Sequence, residues 1–190
     1  MIFLIAISKF FGLIRSPQQQ WKALRDEVQE EPNTVISDYA LPLILISDLT
    51  MLAFAGESKH SVIVYGIAGF VLPFLVLTLT NGVVLRLARM FEAKADKMEV
   101  TKLVTYASAP LWLGMIFNPF ETLSFVGWLG GLLYSLVLYS HGLQVLLEVP
   151  KAKQRRFLAI ISMVVFLLNG ISILVLSASY RVFVVGIGGK

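Results

Sequence analysis

Five apolar stretches separated by short polar segments occupy residues 34–177, covering about 39–55, 62–88, 103–117, 123–147 and 157–177. Most are long enough to cross a hydrocarbon core as helices, which takes about 20 apolar residues. The second is long enough to span with tilt, and Pro73 in its middle predicts a kink. The third is short: at about 1.5 Å per residue it covers less than the roughly 30 Å core, and Pro110 lies near its centre. Before the first span, Ser8, Lys9, Gly12, Arg15 and Ser16 recur at helical spacing. Ile2, Phe3, Ile5, Phe10, Leu13 and Ile14 fall mostly elsewhere, which predicts an amphipathic helix over 1–15. Two placements stand for it: in the membrane interface, or packed on the bundle. Ser16-Pro17 then suits a helix start. Residues 17–31 form a polar helix with Trp21 and Leu24 resting on the interface, ended by Pro32 and Asn33.

The predicted fold is therefore all-α: a bundle of five transmembrane helices behind an N-terminal amphipathic and helical region. Residues 1–33 form the cytoplasmic part, 34–177 the membrane domain and 178–190 an external tail.

Composition sharpens this picture. Of 190 residues, 57% are hydrophobic and 15% charged, against about 25% charged in soluble domains. The mean hydropathy is +0.78. A soluble chain of this size has too much surface to hide that many apolar side chains. No cysteine is present, which removes disulfides, thiolate metal sites and thiol nucleophiles.

The formal charge of +4 is placed unevenly. Lys9, Arg15, Lys22 and Arg25 precede the first span. Arg86, Arg89, Lys94, Lys97 and Lys102 follow or flank the second, and Lys151, Lys153, Arg155 and Arg156 follow the fourth. The opposite side has Lys59, Arg181 and Lys190, so the ratio is thirteen to three. Basic loops stay inside, which places the N-terminus in the cytoplasm and the C-terminus outside. No basic stripe with interleaved aromatics lies outside the spans, so nucleic acid is not an expected partner.

Asp48 is the sharpest chemical signal. It is expected near the middle of the first span, where a carboxylate costs about 2.5–3.5 kcal/mol to insert, and such a residue faces the bundle interior or a wet cavity. It suits a proton or cation site, or a hydrogen bond between helices. Asn169 is a candidate partner by depth. His141 in the fourth span suits a relay or an interhelical hydrogen bond, and Asn81 is a further intramembrane polar group. Gly127, Gly131 and Ser135 recur every four residues, a face that lets helices approach closely within one chain or between copies; Gly130 broadens that face. No G-x-S-x-G, H-E-x-x-H or carboxylate pair on one helix face is present in the spans. No enzyme activity and no cofactor or metal is expected.

Two further stretches are Ser37-Asp38-Tyr39-Ala40-Leu41-Pro42, opening the first span, and Thr105-Tyr106-Ala107-Ser108-Ala109-Pro110 in the third. They resemble the paired motifs D-L-Y-G-P and G-Y-x-x-x-P of the Yip family, membrane proteins named for interacting with Ypt/Rab GTPases. Asp38 and Pro42 match the first motif, with Tyr39 one place early and Leu41 in the glycine's place. Tyr106 and Pro110 match the second, with Thr105 for its glycine. The resemblance covers roughly 15–177. Ser16 to Trp21, with Leu132-Leu133-Tyr134-Ser135 and His141-Gly142-Leu143, looks like the family's bacterial branch. Eukaryotic relatives act in vesicle traffic; the short N-terminus implies an inner-membrane protein of bacteria instead.

The resemblance implies a scaffold or adaptor, with lipids around it, protein partners at the cytoplasmic N-terminus and self-association among the options. The intramembrane carboxylate favours a second reading: a small transporter or channel using Asp48 and the proline-broken third span.

Overall fold

The computed structural model describes residues 2–28, 31–54, 59–93 and 96–180. The described residues are helical, without strands. Helix α1 is Ile2–Arg15 and α2 is Pro17–Asp26. The spans follow as α3, Pro32–Ala53; α4, Lys59–Met90; α5, Lys97–Gly114; α6, Glu121–Val145; and α7, Lys151–Tyr180. A 3₁₀ turn, Met115–Phe117, extends α5. The end of the bundle carrying α1 and α2 is called proximal below, and the other end distal. The expected external tail continues α7 as far as Tyr180 and then lies outside the described residues.

Three helix boundaries differ from expectation. Ser16 makes no side-chain cap to α2; Pro17 alone opens that helix, at a position where its missing N–H costs nothing. Helix α2 stops at Asp26. Pro32 does not end a helix but begins α3, after an extended Glu31. At the start of α5, the Asp96 carboxylate accepts the Glu99 amide at 2.8 Å, a side-chain N-cap. Helix α4 closes on Glu92, whose φ of 58° is left-handed. The Ala93 amide then donates back to the Ala88 carbonyl at 3.0 Å, the usual way to satisfy a last-turn carbonyl.

Helix α5 is the axis of the bundle. From Val100 to Trp112 every side chain is buried, whereas α4 and α7 present Ile67, Val71, Leu75, Met163, Phe166 and Leu174 outward, as lipid-facing helices should. The closest packing is between α5 and α6. A Cβ on Gly127 would lie 2.6 Å from the Gly114 carbonyl oxygen, and one on Gly131 2.5 Å from that of Pro110. The Ser135 hydroxyl donates to the Ala107 carbonyl at 2.5 Å. Small residues here let the two backbones meet within one chain. Gly130 lies off this seam and faces open space.

Helix α1 packs along α3 and α2, burying Ala6 and Leu13, while Phe3, Leu4, Phe11 and Ile14 stay exposed. Of its polar positions, Gly12 abuts the Gln20 side chain and Lys9 reaches Glu27 just past α2, while Ser8 and Arg15 are exposed. The helix thus rests on the bundle by a mixed face, Ala6, Lys9 and Leu13, and offers Phe3, Leu4, Phe11 and Ile14 outward, where lipid is the fitting neighbour. Trp21 and Leu24 are not interface anchors. They are fully buried, with Trp21 seated 3.0 Å from where a Gly142 Cβ would be.

Candidate functional sites at the two ends of the bundle

The proximal site begins with a local distortion. The Leu41 amide donates to the Ile36 carbonyl, five residues back, so residues 36–40 form a wide π turn. Pro42 explains it. A normal helix would have residue 42 donate to Asp38, and proline has no hydrogen to donate. π turns of this kind are frequent at functional sites. This one buries Tyr39 and leaves Asp38 exposed at the edge.

The turn brings Tyr39 onto Tyr106 of α5, with ring centroids 4.3 Å apart. Trp21 meets Tyr106 edge-on at 6.3 Å. Lys9 Nζ donates to the Glu27 carboxylate at 2.7 and 2.8 Å and to the Tyr106 hydroxyl at 3.3 Å. Lys9, Glu27, Tyr39 and Tyr106, with Asp38, Val35 and Ile5, line a cavity of about 140 Å³. The Tyr39 hydroxyl is buried there without a hydrogen-bond partner. The site thus combines one ammonium, two carboxylates and two phenols. Asp38, Tyr39 and Tyr106 come together, while Pro110 lies further along α5 against Gly131.

Beneath this cluster, Lys102 is buried to 3% exposure. Its ammonium donates to the carbonyls of Leu24 at 2.8 Å, Arg25 at 3.3 Å and Glu27 at 2.8 Å. A cation on the last carbonyls of a helix meets the negative end of its dipole, so Lys102 fastens α2 to α5. Lys102 is therefore a buried clasp as well as a contributor to the proximal positive charge. Nearby, the Lys153 ammonium lies 2.8 Å from Glu92 and holds that carboxyl below its ordinary value. The Asp26 carboxylate raises Arg25 in the same way.

The distal site centres on Asp48. Because α3 starts at Pro32, Asp48 lies near that helix's far end, not at mid-span. It is 7% exposed, and its Oδ1 has no hydrogen-bond partner. That oxygen lies against Gly69, where any Cβ would collide with it. A cavity of about 50 Å³ opens here, with Asn118 and Ser172 among its walls. Asp48 and Asn169 form no hydrogen bond; the Asn169 amide turns back to the Val165 carbonyl at 2.8 Å. Asn81 likewise bonds its own helix, at Leu77. His141 stands at the proximal end of α6, with Nδ1 2.9 Å from the Val137 carbonyl, beside Ser16 to Gln19. Among the described residues, no group of three or more His, Asp or Glu side chains is arranged to hold a metal.

Five helices among the described residues are long and apolar enough to cross a bilayer, which makes this a multi-pass α-helical membrane protein. The family model of the Yip1 domain matches residues 11–174. The chain belongs to the Yip family. No curated protein and no solved structure matches it.

Proposed function

We propose that the protein is a non-enzymatic scaffold or adaptor of the bacterial inner membrane, with its proximal end in the cytoplasm and its C-terminus outside. The observation that carries this reading is the convergence of both family motifs on the N-terminal helices. Tyr39 and Tyr106 meet Trp21, Lys9 and Glu27, so the motif residues organise a docking platform. The exposed Lys22, Arg25, Lys151, Arg155 and Arg156 give that platform the basic character that anionic lipid and acidic partner segments favour.

The second reading, a small transporter or channel for an ion, proton or lipid, draws on Asp48. Its cavity and the Tyr39 cavity share no lining residue, which weighs against a through-path. Liposomes holding the pure protein test the choice, screened with protons, cations and fluorescent lipids. The scaffold reading expects no flux above empty liposomes. It also expects photo-cross-linkers at Lys22 and Arg25 to capture protein partners in cells. Flux that Asp48→Asn abolishes would replace it with the transporter.

A further inference from the structure

The distal cavity has a composition that the scaffold reading does not use. Among the described residues that line it, Asp48 is the one ionisable group; the others, such as Ser47, Gly69, Pro73, Met115, Asn118 and Ser172, carry no charge. Among the described residues, no cationic side chain lines this wall to balance the carboxylate, and an ionised group in apolar surroundings is costly unless paired.

The remaining polar groups are oxygens that favour a positive occupant. Ser172 brings a hydroxyl and Asn118 an amide oxygen, which accepts from Ser124 at 3.3 Å and keeps a second lone pair. Pro73 lies inside α4 and has no amide hydrogen, so the Gly69 carbonyl lacks its normal helical donor. Helix α5 gives way to a 3₁₀ turn at Met115, which points the carbonyl end of a helix dipole at the same region. Helix ends and freed carbonyls inside membrane bundles are typical cation ligands. Ser47 is already committed, donating to the Leu43 and Trp112 carbonyls.

We propose that this cavity binds one small monovalent cation, Na⁺ or a proton, on the Asp48 carboxylate. About 50 Å³ admits an ion with a water or two and excludes a larger organic cation. The site stands whether or not anything crosses the membrane, so it does not depend on the scaffold reading.

Thermal unfolding of the full-length protein in detergent tests this, because a ligand of the native state raises its midpoint. The midpoint is measured in NaCl against N-methylglucamine chloride at equal ionic strength, and across pH. A rise with Na⁺ that Asp48→Asn loses identifies a Na⁺ site. A midpoint indifferent to Na⁺, but rising at low pH in the wild type relative to Asp48→Asn, identifies the proton. Subtracting the mutant removes the pH response of groups elsewhere in the chain. Gly69→Ala retains the carboxylate but fills the space beside it, and is expected to lose a Na⁺ response, whereas a proton needs no such space and its case rests on Asp48→Asn. No Asp48-dependent response to Na⁺ or pH, or a full Na⁺ response in Gly69→Ala, overturns the proposal.

Discussion

At the proximal end, Lys102 is 3% exposed and donates to three carbonyls at the end of α2, those of Leu24, Arg25 and Glu27. At the distal end, Asp48 is 7% exposed and leaves Oδ1 unpartnered. Both are charged residues in the same bundle, buried almost equally. The lysine has every donor occupied by the protein, so its role is to hold helices together. The aspartate's Oδ1 has no hydrogen-bond partner among the described residues. Burial alone therefore does not separate a structural charge from a ligand-binding one; the inventory of partners does.

Three substitutions bear on this contrast. The largest effect is expected from Trp21→Ala. It empties a fully buried indole site between α2, α5 and α6, at a cost of about 3–5 kcal/mol, and makes α2 accessible to trypsin at Lys22 and Arg25. Denaturant unfolding in detergent and limited proteolysis read both. A loss under about 1 kcal/mol would mean that the proximal end is no firmer than the distal one. Next comes Lys102→Met, which retains the apolar stem and leaves three carbonyls without their donor, costing about 1–3 kcal/mol. If it proved neutral in the same assay, the clasp would be incidental.

The smallest concerns Glu92. Lys153 lowers its carboxyl in the folded protein, so the pair contributes stability above the unfolded value of about 4.3. That contribution disappears as pH falls through the lower folded value. Wild type and Glu92→Gln should differ slightly in thermal midpoint at neutral pH and converge in acid, with added salt shrinking the gap. A gap that widens toward acid would contradict the sign.

The five spans, their order and the burial of Asp48 were legible in the chain, because length and hydropathy dictate what lipid will accept. The N-terminal placement was only half legible. The spacing of Lys9 and Gly12 showed a polar stripe, but not that these two face inward beside Ala6 and Leu13 while Ser8 and Arg15 stay exposed. Lys102 read as one more basic residue beside a loop. Its partners are backbone carbonyls 75 to 78 positions away, and carbonyls have no sequence signature. The motif tyrosines could be picked out, yet their companions Lys9, Glu27 and Trp21 could not. The π turn at 36–40 did have a signal, Pro42, since a missing amide must disturb the turn before it.

Helix α5 has a consequence for how the protein is made. It is the least apolar of the five spans, carries Lys102, and spends nearly its whole surface on other helices. Lipid gives such a segment little reason to leave the translocation machinery unaccompanied. Its proper surroundings exist only once α6 lies along it, and the short connection from Phe117 to Glu121 makes α6 the next segment to arrive. Membrane insertion of this chain is then not five separate partitioning events. The third span waits for the fourth, and a mutation that spoils the Gly127–Gly131 seam would be felt first during synthesis, as a topology error, before it was ever felt as instability.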